Sequence, residues 1–208
     1  YKVMIVEDQT MPRELFELRV QASERFELAL SIDNAALADV YCLRFPVDLI
    51  LMDVITRDGE NGLDAAARIK RAFPQIKIII VTSMPECSYL KRAKEIGVES
   101  FWYKEEQRES LLDVMERTMN GESVYPGASP ELTLGMASSY QFTERELDIL
   151  REITSGDTNQ EIADRLNMSV ATVKTHILNM LEKTGFRNRT ELAVRARESG
   201  LVILNRRN

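Results

Sequence analysis

In the first half of the chain, five side chains that could act together follow short apolar, β-branched runs. Glu7 and Asp8 follow Lys2–Val6, Asp53 follows Asp48–Met52, Thr82 follows Lys77–Val81, and Lys104 follows Ser100–Tyr103. Runs of this kind read as strands, and in an open parallel sheet ligand chemistry gathers beyond the carboxyl ends of the strands. Three carboxylates brought together repel one another unless a hard cation lies among them, and Mg²⁺ prefers such oxygen ligands. With the charge balanced in that way, Asp53 can act as a nucleophile toward phosphorus. The Lys104 ammonium can bind one phosphoryl oxygen and the Thr82 hydroxyl can donate to another. The chemistry expected is an aspartyl phosphate on Asp53, with Thr82 and Lys104 as catalytic partners. Taken singly, these residues have plainer readings as loop caps, a turn threonine and a solvated lysine. Their position at the ends of four strands makes them a pocket.

A second constellation lies in the other half. Residues 158–184 read as two helices joined by the tight turn Asn167-Met168-Ser169, with Ser169 as N-cap of the second. Val170, Val173, Ile177, Met180 and Leu181 fall on one apolar face of that helix. Ala171, Lys174, Thr175, Leu178, Asn179 and Glu182 face outward. A helix of this form fits the major groove of double-stranded DNA, with Lys174 on guanine edges and the methyls of Thr175 or Leu178 against thymine methyls. Lys183, Arg187 and Arg189 are the expected phosphate contacts. His176, the only histidine, leaves little scope for a Ser-His-Asp hydrolase or a histidine-rich metal site, and reads as a helix-packing or phosphate-proximal residue without chemistry.

The elements that must position these residues follow from the chain as a whole. A length of 208 residues with 44% apolar content suits two compact domains. Residues 1–122 alternate five strands, the four above and Glu27–Ile32, with helices expected over Pro12–Ala22, Ala35–Arg44, Leu63–Ala72, Ser88–Ile96 and Gln107–Met119. That is the pattern of an α/β doubly wound, five-stranded parallel sheet. Residues 123–140, rich in Pro, Gly and Ser, read as a linker. Residues 141–208 read as a small all-α helix-turn-helix domain opened by capping boxes at Thr143/Glu146, Thr158/Glu161 and Asn188/Glu191. Net charge is −6, yet residues 165–207 hold 9 basic and 3 acidic side chains, an excess of +6 suited to a polyanion. No apolar run is long enough for a membrane span and no secretory pattern opens the chain, so a cytoplasmic location is expected. Cys42 and Cys87, without metal-like spacing, read as reduced thiols, the first buried and the second in a loop.

With these motifs in hand, residues 1–122 resemble a two-component response-regulator receiver domain, through Glu7-Asp8, Leu51-Met52-Asp53, Val81-Thr82-Ser83 and Lys104 after Phe101-Trp102-Tyr103. The resemblance implies a flavodoxin-like sheet of order 2-1-3-4-5. It also implies Mg²⁺ held by Asp8, Asp53 and the backbone carbonyl of Ile55 with help from Glu7, and a switch made of Thr82 and Phe101. Residues 141–203 resemble the LuxR-type domain of NarL/FixJ regulators, through Phe142-Thr143-Glu144-Arg145-Glu146, Asn159-Gln160-Glu161-Ile162-Ala163, Thr172-Val173-Lys174-Thr175-His176 and Thr190-Glu191-Leu192-Ala193. By that likeness Lys174 and Thr175 contact bases, and the helix from Arg189 to Ser199 is a dimer surface. The implied function is a transcriptional regulator. A sensor histidine kinase would phosphorylate Asp53 and so promote homodimerisation on promoter DNA.

Two features depart from the receiver pattern. The loop after Asp53, residues 54–62, is one residue longer and lacks proline, and Glu105 follows Lys104. Apolar Ile55 and Met84, at positions that tune attack by water, imply a long-lived phosphoryl group. Other readings are a phosphatase with an aspartyl-phosphate intermediate, which lacks the Asp-x-Asp it would need after the first strand, and a regulator indifferent to phosphate.

Overall fold

A computed structural model describes residues 1–57, 61–83, 87–104, 110–127 and 131–202. Two compact units emerge, one of Tyr1–Ser83 with Tyr89–Ala128, the other chiefly of Ser129–Arg207.

The first unit is a five-stranded parallel sheet of order β2-β1-β3-β4-β5. Its strands are β1 (Lys2–Val6), β2 (Glu27–Ile32), β3 (Leu49–Asp53), β4 (Lys77–Thr82) and β5 (Ser100–Tyr103). The inner strands β1, β3 and β4 are apolar on both faces and almost wholly sealed from solvent, as a sheet covered on both sides requires. Helices α1 (Thr10–Gln21), α2 (Ala38–Arg44), α3 (Gly62–Ala72), α4 (Cys87–Ile96) and α5 (Leu111–Met119) alternate with the strands.

The differences from the expected elements are local. Ala35–Leu37 form a 3-10 turn before α2, because the Asn34 side chain accepts from the Ala36 amide and tightens the entry. Helix α5 starts at Leu111, where Ser110 caps it by accepting from the Asp113 amide; Gln107, its expected start, lies outside the described residues. Cys87 opens α4, where a loop was expected. Cys42 is half-buried, and burial with the nearby charge of Asp39 pushes its thiol up to about 11, far from thiolate reactivity.

The second unit packs α6 (Glu144–Thr154), α7 (Asn159–Arg165), α8 (Val170–Thr184) and α9 (Arg189–Ser199) around a core that includes Leu147, Ile149, Leu150, Ile162, Val173, Ile177, Met180 and Leu192. Full capping boxes open α6 and α7. At α9 the Asn188 side chain caps the Glu191 amide, but the Glu191 carboxylate accepts from the Arg187 amide and leaves the box half made.

Part of the stretch expected to be linker belongs to this core. Strands β6 (Thr133–Leu134) and β7 (Ala137–Ser138) form a small antiparallel hairpin that buries Leu134 and Ala137. At its tip the Met136 amide donates to the Thr184 carbonyl at 3.0 Å and so ends α8. Gly135, at φ +62°, allows this approach, since a Cβ there would lie 2.1 Å from that carbonyl oxygen. Among the described residues no helix is long and apolar enough to cross a membrane.

Candidate functional site: an acidic acceptor pocket and a helical nucleic-acid interface

The parallel register carries the ends of β1, β3, β4 and β5 to one edge of the sheet. Asp53 closes β3, one Oδ held at 2.7 Å by the Val54 amide and the other accepting from Lys104 Nζ at 2.9 Å. The same ammonium donates to Glu7 Oε2 at 2.5 Å. Glu7, wholly buried, is aimed by the Gln9 amide, which donates to Oε1, and Arg13 donates to the Glu7 carbonyl. Carboxylate oxygens of Glu7, Asp8 and Asp53 lie within 4.8 Å of one another. Thr82, fully buried, ends β4, and its carbonyl accepts from the Lys104 amide at 2.9 Å. Glu7, Asp8, Asp53 and Lys104 thus meet at one place, with Thr82 at the end of the strand between those of Asp53 and Lys104.

Among the described residues one lysine faces these carboxylates, which leaves them short of positive charge. Burial, reinforced by the charge of Glu7 and opposed by Lys104, pushes the Asp53 carboxyl up to about 7. The two carboxylates in turn hold the Lys104 ammonium above its ordinary value, although burial works against it. An oxygen-only donor set with surplus negative charge fits a hard divalent cation.

The loop after Asp53 is built for close approach. Gly62, the first residue of α3, donates its amide to the Val54 carbonyl, and a Cβ on it would stand 1.8 Å from the Asp53 carbonyl oxygen. Ile55 bridges Asn61 through the backbone. Thr56 accepts from the Ala35 amide, and Arg57 pairs with Asp33 at 2.6 Å. Residues 58–60, Met84 and Glu105 lie outside the described residues. Phe101 is buried on β5, its ring 5.0 Å from Tyr103 and 6.3 Å from Tyr125.

In the helical unit, Asn167 at φ +52° makes the turn, Ser169 caps α8 by accepting from the Thr172 amide, and Val173, Ile177 and Met180 face the core. Ala171, Lys174, Thr175, Leu178, Asn179 and Glu182 are exposed along the opposite side. His176 is half-buried on α8.

Two of the residues expected to meet phosphates have internal partners. Lys183 Nζ donates to both Glu146 oxygens, at 2.8 and 2.7 Å, and to the Gln141 carbonyl, which uses all three of its protons. Arg189 donates to Asn159 Oδ1 at 2.5 Å and to the Asp157 carbonyl. These bonds run between segments distant in sequence, and composition alone does not show them. Arg187 is exposed, and neither it nor Lys174 has an ion pair among the described residues.

Fold and pocket together define a receiver followed by a helix-turn-helix module. The model of the response regulator receiver domain matches residues 3–116, and that of the LuxR family of bacterial regulatory proteins matches residues 140–196. The chain belongs to the response regulators with a LuxR-type DNA-binding domain, and is a DNA-binding transcriptional regulator of a two-component system rather than a classical enzyme. Among its relatives, the response regulator protein VraR of Staphylococcus epidermidis is 33% identical over 97% of this chain and 98% of its own length. VraR of Staphylococcus aureus is 32% identical over the same shares. Solved structures with the same fold include RcsB from Salmonella enterica serovar Typhimurium bound to promoter rprA in the presence of phosphomimetic BeF3-. It has a TM-score of 0.59 and 17% identity, covering 94% of this chain and 98% of that one. The response regulator ChrA of a heme-sensing two-component system has a TM-score of 0.52 and 21% identity, covering 97% and 98%.

Proposed function

We propose that Asp53 accepts a phosphoryl group from a sensor histidine kinase and that the aspartyl phosphate promotes homodimerisation and promoter binding by the second unit. The observation that carries this reading is the sealed cluster in which one ammonium, that of Lys104, is shared by Asp53 and Glu7. Once Asp53 carries a phosphoryl group, Lys104 is the cation at hand for one of its oxygens, and Thr82 is the hydroxyl for another. Asp8, Asp53 and the Ile55 carbonyl would hold Mg²⁺, with Glu7 beside them. Bound there, Mg²⁺ would supply charge neutralisation on the phosphoryl oxygens. Thr82 and Phe101 form the switch. Apolar, half-buried Ile55 offers no group to guide attack by water, which supports a long-lived phosphoryl group.

For DNA, we assign the major-groove face to Lys174, Thr175, Leu178 and Asn179. The Thr175 hydroxyl donates to the Ala171 carbonyl at 3.0 Å, which leaves its methyl for a thymine. Arg187 is the phosphate contact; Lys183 and Arg189 support the interface from within. The working division is a receiver over 1–122, a linker over 123–140 whose hairpin at residues 133–138 packs into the core of the helical unit, and the DNA-binding domain over 141–208, acting in the cytoplasm.

The test uses the full chain with Mg²⁺ and acetyl phosphate. Wild type gains the mass of one phosphoryl group and binds promoter DNA more tightly, while Asp53→Ala does neither. An unchanged wild-type mass would remove the mechanism, and continuous phosphate release at high turnover would point to a phosphatase instead.

A further inference from the structure

The segment that follows α5 is fastened to the strand that carries Lys104. After Gly121, at φ +91°, and a 2.7 Å ion pair between Arg117 and Glu122, the chain turns back along β5, the edge strand of the sheet. The Phe101 amide donates to the Val124 carbonyl at 2.9 Å, and the Val124 amide donates to Ser100 Oγ at 3.1 Å. Ser100 is fully buried and lies 2.7 Å from Thr118 Oγ1. The Thr118 hydroxyl spends its proton on the Val114 carbonyl, so Ser100 is the donor between the two. One buried hydroxyl thus ties β5, α5 and the start of the linker.

Tyr125 continues the fastening. Its hydroxyl donates to the Val98 carbonyl at 2.7 Å, its ring lies 6.3 Å from that of Phe101, and Lys94 of α4 stands 5.0 Å from its ring centre. One linker side chain therefore touches α4, the turn before β5 and β5 itself. Three residues beyond Phe101 on the same strand run, Lys104 is bonded to Asp53.

We propose that Tyr125 is a positioning residue for signal transfer: it couples the Lys104 end of β5, through Phe101, to the first residues of the linker. This rests on the phosphorylation reading above. A phosphoryl group on Asp53 draws the Lys104 ammonium from its present bonds to Glu7 and Asp53, and Lys104 is covalently continuous with the strand on which Phe101 and Ser100 hold Val124 and Tyr125. A shift of that strand end changes the seat of the Tyr125 ring, and the linker moves with it. The physical requirement for coupling is a contiguous element with two arrangements that both sites bias, and β5 with its clipped segment supplies one.

The experiment measures, on the full chain, phosphoryl uptake at Asp53 by intact mass and DNA affinity with and without acetyl phosphate. It adds hydrogen exchange of the peptide that holds Val124 and Tyr125. Tyr125→Ala is expected to take up the phosphoryl group to the wild-type extent, while the phosphorylation-induced gain in DNA affinity shrinks at least about fivefold. Phosphorylation is expected to alter exchange at Val124 in wild type and not in the variant. Tyr125→Phe, which keeps the ring and loses the bond to Val98, is expected to retain most of the gain. Should Tyr125→Ala unfold, Tyr125→Leu replaces it with the same expectations. A full gain in affinity in a phosphorylated Ala or Leu variant would overturn the proposal. If wild type itself takes up no phosphoryl group, the reading beneath fails and the coupling fails with it.

Discussion

Asp53 and Glu146 are nearly equally hidden from solvent, at 4% and 3% exposure, yet their carboxyls move in opposite directions. Asp53 shares a single ammonium with Glu7 and is pushed up. Burial also raises Glu146. It is outweighed by the two-pronged bond from Lys183 and by the Thr143 amide and hydroxyl, so Glu146 is held below the usual carboxylate range. The difference separates two uses of buried charge. In the helical unit the acid is fully matched and fixes where α8 sits against α6. In the sheet unit the acids are under-matched, and a donor set with that deficit is one a hard cation fits.

The comparison can be broken at several points. The largest effect is expected from Gly62→Ala, whose Cβ would collide with the Asp53 carbonyl. The receiver should lose about 3 kcal/mol of stability, with phosphoryl uptake falling alongside. Trp102, the only tryptophan, is buried in this unit, so urea unfolding followed by its fluorescence reports the receiver apart from the helical domain.

Asp53→Asn tests the deficit itself. A folded carboxyl raised above its unfolded value costs stability once the pH is above both, and the cost shrinks as the pH falls toward the unfolded value. In the absence of Mg²⁺ the asparagine receiver should therefore be more stable than wild type at about pH 8, by about 2 kcal/mol, and lose that advantage near pH 4. Mg²⁺ should stabilise wild type and leave the variant unmoved. A wild type more stable than the variant in chelator at high pH would contradict a charge-deficient pocket.

On the exposed face of α8, Lys174→Ala should cost DNA affinity about tenfold, roughly 1.4 kcal/mol, and relax base preference at one position while thermal stability stays within about 0.5 kcal/mol. Equal loss on all sequences would make Lys174 a phosphate contact instead.

The smallest effect is expected on the matched side. Lys183→Ala should destabilise the helical unit by about 1 kcal/mol at neutral pH, discounted because the lysine is one-third exposed. Glu146, with its folded value depressed, contributes stability that is present above its unfolded value and lost as the pH falls through the folded one. The variant should show a shallower acid limb in circular dichroism melts below about pH 5. An unchanged limb would place the acid sensitivity elsewhere.

The sheet and its pocket were legible in the sequence because each strand is a short apolar run ended by a residue of a different chemical type. A period of two or an unbroken apolar run survives one-dimensional reading. The exposed side of α8 was legible for a similar reason, its spacing on a helix. The features that the sequence does not show depend on contacts far along the chain. Lys183 and Arg189 looked like free cations because Glu146 and Asp157 lie 37 and 32 residues away. The hairpin at residues 133–138 has strands of two residues, too short for any alternation to show, and the Pro, Gly and Ser around it read as linker. Val124 and Tyr125 sit in the same composition, and what holds them, the Ser100 hydroxyl and Phe101 amide for Val124 and the Val98 carbonyl for Tyr125, lies far back in the sequence.

The clip of Val124 on β5 has a consequence for how the chain is made. Until residue 124 has left the ribosome, the edge of β5 offers the unpaired Phe101 amide to any neighbouring strand, and Ser100 lacks the donor it accepts from in the finished fold. A receiver fragment ended at residue 122 would keep that edge open permanently and invite pairing between molecules, whereas one ended after Gly127 would carry its own cover.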